Sequence, residues 1–373
     1  MAKKQKTRYY SLDRIKKEDA SYNIIIGIRS NGKTFAVQDD GLKNYCETGE
    51  QMALIRRYQD DFVGKRGRQA FENMVNTGRV EKYSKGKWNK IVYKSSQWFL
   101  AKYDEELNED VVDTKPFCYG FAINVAEHDK SIAFPNVTTI LFDEFLTRRS
   151  YLPNEFIEFM NILSTIIRDR DNVKIYMCGN TVNKYAPYFS EMGLHNVFKQ
   201  QPDTIDVYTY GDSKLKVAVE YCAISDGKKT SSKPSDFYFA FDNPKLQMIT
   251  TGVWEIDIYP HLPQKYERKN VIFKYFVCFS RDILQCEIVK INKNIFTYVH
   301  RKTTDIQKVK KDLVFATVYS EKPNWSRKIT QPRNDAETKI WWFFRNDKVF
   351  YQDNEVGEIM RNYLLWCKSE KVV

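Results

Sequence analysis

Residues 22–37, YNIIIGIRSNGKTFAV, constrain this chain more than any other stretch. Ile24–Ile26 read as a buried strand that breaks at Gly27, and from Lys33 through Phe35, Ala36 and Val37 the pattern turns helical. Between them Gly27-Ile28-Arg29-Ser30-Asn31-Gly32-Lys33-Thr34 matches G-x-x-x-x-G-K-[ST] in full. Glycines let a backbone wrap an anion with its N–H groups inward, and the following helix start adds a positive dipole end. Gly27, Arg29, Ser30, Asn31, Gly32, Lys33 and Thr34 are therefore the expected nucleotide contacts. Lys33 would reach the β- and γ-phosphates of ATP, and the Thr34 hydroxyl would enter the shell of a Mg²⁺ ion.

A second stretch completes that chemistry. Phe134-Pro135-Asn136-Val137-Thr138-Thr139-Ile140-Leu141-Phe142-Asp143-Glu144 is a β-branched strand ending in two adjacent carboxylates. Behind a P-loop, an acid at such a strand tip orders the metal shell, and a second acid beside it polarises the attacking water. Asp143 is the expected metal-shell residue and Glu144 the expected base.

Other segments are less specific. Gln51–Tyr58 reads as a strand closing on the cations Arg56 and Arg57, followed by a basic loop, Gly64-Lys65-Arg66-Gly67-Arg68, and a short helix near 69–77. Glycine-spaced cations suit phosphate contacts, and equally suit a solvated loop. Residues 90–101 and 116–123 carry strand-like runs, and the acidic stretch 104–113 between them reads as an exposed loop. Residues 153–168 form an amphipathic helix with a core-facing aromatic stripe. Arg168 and Arg170 at its end either complement the helix dipole or offer an arginine finger to a neighbouring subunit's γ-phosphate. Val173–Asn180 is a further strand, and Asn180 at its tip is a γ-phosphate sensor or a turn residue after Gly179.

A formal net charge of +11 points to an anionic partner, nucleic acid first and a membrane surface second. No apolar run approaches the roughly 20 residues of a membrane span. The N-terminus, MAKKQKTRYY, lacks the apolar core of a secretory signal. Seven cysteines without a C-x-x-C pair suggest free thiols in a reducing compartment, and four isolated histidines offer no zinc spacing. The expectation is a soluble, cytoplasmic protein.

Together these motifs resemble the DNA-packaging ATPases of small phi-29-like tailed phages, short relatives of the terminase large subunits. The resemblance lies in GIRSNGKT with its arginine third in the loop, the Arg56-Arg57 pair, FPNVTTILFDEF, YLPNEF, IIRDRD and the CGN–PYF segment. It spans residues 10–220 in order. It implies Lys33 and Thr34 as phosphate and Mg²⁺ ligands, Asp143 and Glu144 as the Walker B pair, Arg168 as a trans-acting finger and Asn180 as the coupling residue. It further implies a homo-oligomeric ring, a pentamer, seated on the portal of an empty prohead in the host cytoplasm and pulling double-stranded DNA inward with ATP. Some members use a prohead RNA as scaffold. Arg56, Arg57, Lys65, Arg66 and Arg68 are the candidate DNA contacts.

Beyond residue 222 a polar stretch gives way near 268 to strands at 271–279, 286–291 and 295–300, read as a meander, with helical patterns at 303–316 and 354–367. The expected architecture is an α/β P-loop domain of the ASCE type (additional strand, catalytic glutamate) over 1–222. A linker or lid over 223–266 and an α+β, ribonuclease-H-like domain over 267–373 follow. A two-metal nuclease needs converging acids. Val271–Phe279 carries none, with Asp282 and Glu287 off its length, so that domain is expected to be a silent nuclease. Basic segments interleaved with aromatics, such as Trp341-Trp342-Phe343-Phe344-Arg345, suit either nucleic-acid or portal docking or a core beneath a solvated basic face. The rival functions are another motor with this domain (a helicase or plasmid-partition ATPase), a nucleic-acid-binding protein using nucleotide as a switch, and a terminase that also cuts.

Overall fold

A strand buried on both faces needs an unbroken apolar run, and the chain carries several. In the computed structural model, which describes residues 10–106, 108–125, 133–222, 254–262 and 264–369, they assemble into two sheets. The elements are α1 (Asp13–Lys16), β1 (Tyr22–Gly27), α2 (Lys33–Thr48), β2 (Gln51–Arg56), α3 (Lys65–Gln69), α4 (Glu72–Asn76), α5 (Arg79–Tyr83), β3 (Lys90–Lys94), β4 (Gln97–Asp104), β5 (Glu109–Val112), β6 (Cys118–Ala122) and β7 (Val137–Asp143). After these come α6 (Glu155–Ile167), β8 (Lys174–Asn180), α7 (Pro187–Glu191), β9 (Thr204–Tyr210), β10 (Leu215–Cys222), β11 (Val271–Phe279), β12 (Asp282–Ile291), β13 (Asn294–Lys302), β14 (Leu313–Ala316), β15 (Trp325–Ser326), α8 (Asp335–Arg345), β16 (Val349–Tyr351) and α9 (Asn354–Ser369).

One unit comprises residues 1–147, 154–184 and 191–254; the other takes 148–153, 185–190 and 255–373. The first holds a ten-stranded sheet ordered β3-β4-β6-β2-β7-β8-β1-β10-β9, with β5 paired to β4. From β6 to β10 the pairings are parallel, and the flanking strands are antiparallel. Strand alternation sends neighbours to opposite faces. Leu141 joins Val37 and Leu42 of α2 in one core, while Phe142 packs on Phe159 of α6 across the sheet at 5.0 Å between centroids.

The second unit's sheet runs β15-β14-β11-β12-β13-β16. The expected meander is present as antiparallel β11–β12–β13, extended by parallel pairings of β14 with β11 and β16 with β13. Tyr275, Val277, Cys286 and Val299 pack against Ile340 and Phe343 of α8 and Ile359, Met360 and Tyr363 of α9. Of the Trp341–Phe344 run, Phe343 enters this core while Trp342 stays half exposed.

Three expectations need correction. The basic segment at 64–68 is not a loop: Lys65–Gln69 is the short helix α3, anchored where Gly67 is buried and its carbonyl accepts from Trp98 Nε1 at 2.8 Å. The short helix expected near 69–77 is present as α4, Glu72–Asn76. The acidic stretch contains β5, an edge strand whose side chains all face water. Edge pairing needs only backbone, and Lys90 meets Asp110 at 2.7 Å, so acidity is no bar to a strand there. Residues 303–316 are not helical; Leu313–Ala316 is instead the buried strand β14 between β11 and β15. A four-residue apolar run cannot be assigned by periodicity alone, and tertiary burial decides it. Strands β9 and β10 and helix α8 went unread in the sequence. The expected lid at 223–266 lies for the most part outside the described residues. Among those described, no helix is long and apolar enough to cross a membrane.

Candidate nucleotide-binding site

Ligands of open α/β sheets bind beyond the carboxyl ends of the strands, and here the tips of β1, β7 and β8 converge. Gly27 ending β1 pairs with Asn180 ending β8, and Asp143 ending β7 pairs with Cys178. The loop after β1 turns sharply. Gly27 has φ +154°, and an added Cβ would lie 2.7 Å from the Cys222 carbonyl oxygen, so only glycine fits. Gly32 at φ +92° precedes the first turn of α2, where Lys33 and Thr34 begin the helix.

Lys33 is 5% exposed. Its Nζ donates to the carbonyl of Ile28 at 2.6 Å, to Asn31 Oδ1 at 3.1 Å and to Asn180 Oδ1 at 3.3 Å. Burial lowers the ammonium's pKa, against smaller opposing contributions from Cys222, Cys178 and Asp143. A buried cation held by neutral oxygens is a fit seat for phosphate oxygens. The Thr34 hydroxyl donates to Asp143 Oδ1 at 2.6 Å. Hydroxyl and carboxylate form the hard-oxygen donor set that Mg²⁺ takes, so these residues fit the metal as well.

Asp143 accepts three bonds, from Thr34, from the Glu144 N–H at 3.1 Å, and from Arg56 at 2.7 Å on its other oxygen. Arg56 also reaches Glu144 Oε2 at 3.1 Å. Glu144 adopts φ +59°, a left-handed conformation that costs an extended side chain about 1 kcal/mol or more and recurs where geometry serves a site. That backbone turn leaves its carboxylate 70% exposed. Arg29, Ser30, Asn31, Gly32, Lys33, Thr34, Arg56, Asp143, Glu144 and Asn180 line one cavity of about 780 Å³.

The other expected site residues lie elsewhere. Arg57 cannot grip DNA: it is buried, with Nε on Glu155 at 2.8 Å and Nη2 donating to the Phe145 carbonyl at 2.7 Å. It follows the last residue of β2, where the next side chain in the alternation leaves on the face opposite Arg56. Arg56 itself belongs to the cavity. Lys65, Arg66 and Arg68 are exposed on α3. Arg168 caps α6 at φ +51°, exposed and outside the lining of its own chain's cavity. Arg170 is a structural staple: it donates to the carbonyls of Phe134, Pro135, Val137 and Ile166. Sequence reasoning missed the Arg56 bridge and a group of lining residues from α2 to α5, namely Phe35, Gln38, Asn73, Thr77 and Arg79. Only the alternation of β2 could have signalled the first.

Comparison with known proteins matches residues 4–232 to the family described as Podovirus DNA encapsidation protein (Gp16). The DNA packaging proteins of Bacillus phages phi29 and PZA are each 27% identical over 229 residues, covering 60% of this chain and 60% of theirs. That of Bacillus phage B103 is 28% identical over 239 residues, covering 60% and 66%. The chain thus matches less than two thirds of the length of these relatives. Among solved structures, the Phi-28 gp11 DNA packaging motor has a TM-score of 0.56 at 19% identity, covering 98% of this chain and 100% of that one. The bacteriophage Phi-29 viral genome packaging motor assembly has 0.54 at 20%, covering 97% and 99%. At these identities the likeness is one of fold.

Proposed function

The chain belongs to the podovirus DNA encapsidation (Gp16) family, and from that premise we propose that it is an ATP-hydrolysing motor that drives double-stranded viral DNA into an empty prohead. The observation that carries this reading is the meeting of Lys33, Thr34, Asp143, Glu144 and Asn180 around one cavity. The interposition of β8 between β1 and β7 supports the ASCE class, with Glu144 as its glutamate.

In this mechanism the loop amides and Lys33 hold the β- and γ-phosphates of ATP, and Thr34 and Asp143 hold Mg²⁺. The ion supplies charge neutralisation at the transferring phosphoryl group. Glu144 takes a proton from the attacking water. Asn180, already bonded to Lys33, senses loss of the γ-phosphate. Arg168 acts on the neighbouring subunit's nucleotide, a role its exposure outside its own cavity supports. That arrangement requires a ring, and we take the pentamer as its form, docked in the host cytoplasm at the portal, with prohead RNA as a further partner to be tested. Lys65, Arg66 and Arg68 supply phosphate contacts to the duplex.

The domains follow as an ATPase over 1–222, a lid over 223–266 and a ribonuclease-H-like domain over 267–373, which the meander with parallel flanking strands supports. Its candidate acids are otherwise engaged. Asp282 pairs with Arg301 at 3.0 Å and Glu287 accepts from Tyr266 at 2.6 Å, which with the lack of any acid on β11 supports reading the domain as a silent nuclease.

The test is the ATPase rate of purified protein alone, with duplex DNA, and with proheads added. Stimulated multiple-turnover hydrolysis that leaves the duplex paired and uncut is expected. Absent turnover would reduce the nucleotide to a switch, strand separation would make the protein a helicase, and nicking with Mg²⁺ or Mn²⁺ that Asp282→Ala abolishes would restore the nuclease.

A further inference from the structure

The cavity is larger than a triphosphate needs. Its lining also includes Phe35, Gln38, Asn73, Thr77 and Arg79, contributed by α2 and the short helices after β2, and this part of the lining is termed its second lobe. None of these groups is required to hold phosphate or metal, since the loop, Lys33, Thr34 and Asp143 already do so.

The lobe has its own chemistry. Arg79 is braced from behind: its Nε lies 3.4 Å from Asp39, and its Nη1 donates to the Tyr83 hydroxyl at 3.2 Å. That hydroxyl in turn donates to Asp39 at 3.0 Å. The guanidinium sits 5.9 Å from the Phe35 ring centroid and 6.0 Å from that of Tyr83. Gln38 is anchored by its donation to the Ala70 carbonyl at 3.0 Å. A flat cation with a fixed orientation beside an aromatic ring is a stacking surface for a planar, electron-rich ring. The exposed Asn73 amide adds one donor and one acceptor, the pair needed to read a heterocycle's edge.

We propose that this lobe is the nucleobase subsite, with Arg79 as the stacking surface and Asn73 as the edge-reading residue. The assignment rests on the nucleotide-binding reading above and adds the residues that choose the base. Asp39 and Tyr83 are positioning residues, acting through Arg79.

Isothermal titration of the full chain separates base from phosphate by comparing Mg·ATP with Mg·tripolyphosphate. Arg79→Ala should weaken ATP binding about tenfold and leave tripolyphosphate unchanged. Asn73→Ala, a surface change that leaves packing alone, should shrink the preference for ATP over ITP, whose base edge has donor and acceptor exchanged. The assignment is overturned if Arg79→Ala weakens both ligands equally or neither, or if Asn73→Ala leaves the ATP-to-ITP ratio unmoved. Should the unaltered chain bind neither ligand, the nucleotide reading falls, and the subsite with it.

Discussion

The Thr34 hydroxyl and the Asp143 carboxylate, 109 residues apart in sequence, share a 2.6 Å hydrogen bond. It joins the first turn of α2 to the tip of β7 and fixes where a divalent cation would sit. Thr34→Val and Asp143→Asn should each remove at least about tenfold of the Mg²⁺ enhancement of nucleotide binding. Binding without metal should change little. Titrations of nucleotide with and without Mg²⁺ measure this, and equal losses under both conditions would count against a metal role.

Glu144 projects into the same cavity from a left-handed backbone position. Glu144→Gln keeps the shape and removes the base. Turnover should fall by about 10²–10⁴-fold while equilibrium binding of ATP persists. Normal steady-state hydrolysis in this variant would exclude Glu144 as the base.

Arg168 lies outside the cavity lining of its own chain, and under the proposed trans role its loss should be mended by a neighbour. Arg168→Ala rings should be inactive, since a finger is worth about 10³–10⁵ in rate. Mixing in subunits with an intact finger and a Lys33→Ala loop should restore hydrolysis. A mixed ring that assembles and stays silent argues against action in trans.

Arg57 and Glu155 form a buried ion pair at 2.8 Å. Arg57→Ala removes a charged partner from a buried carboxylate and should cost up to about 3–5 kcal/mol in denaturant unfolding. Arg57→Met with Glu155→Leu should recover most of that. A stable Arg57→Ala protein that binds DNA weakly would return Arg57 to the DNA contacts.

In the second unit the Glu287 carboxyl is held down at about 2, chiefly by His300, then by Tyr266 and Gln285, against the opposing effect of burial. Lys274 lies 3.6 Å from it on β11 and His300 3.9 Å on β13. A folded value below the unfolded one, about 4.3, stabilises the fold above that pH. The contribution is lost as pH falls from about 4.3 to 2, on the order of 1–2 kcal/mol after screening. Calorimetric melting across this window should therefore drop less steeply for Glu287→Gln than for the natural residue. Identical slopes would remove Glu287 from the acid response.

What the chain alone determined is what local pattern encodes. The strand-to-helix turn at Gly27–Thr34 was legible because its glycines and the Lys-Thr helix start stand in contiguous order, as were the long strands β1, β7, β8 and β11–β13. The Asp143–Glu144 tip was legible for the same reason, being a strand end in one run. The tertiary structure decided whatever depends on residues far apart or on very short segments. It turned Arg57 into a buried partner of Glu155 and Arg56 toward Asp143, made β14 a strand where periodicity suggested a helix, and gathered Phe35, Asn73 and Arg79 around one lobe. Four apolar residues carry too little period to choose their own secondary structure, and a side chain's partner is set by which strands lie beside it. Packing alone supplies that information.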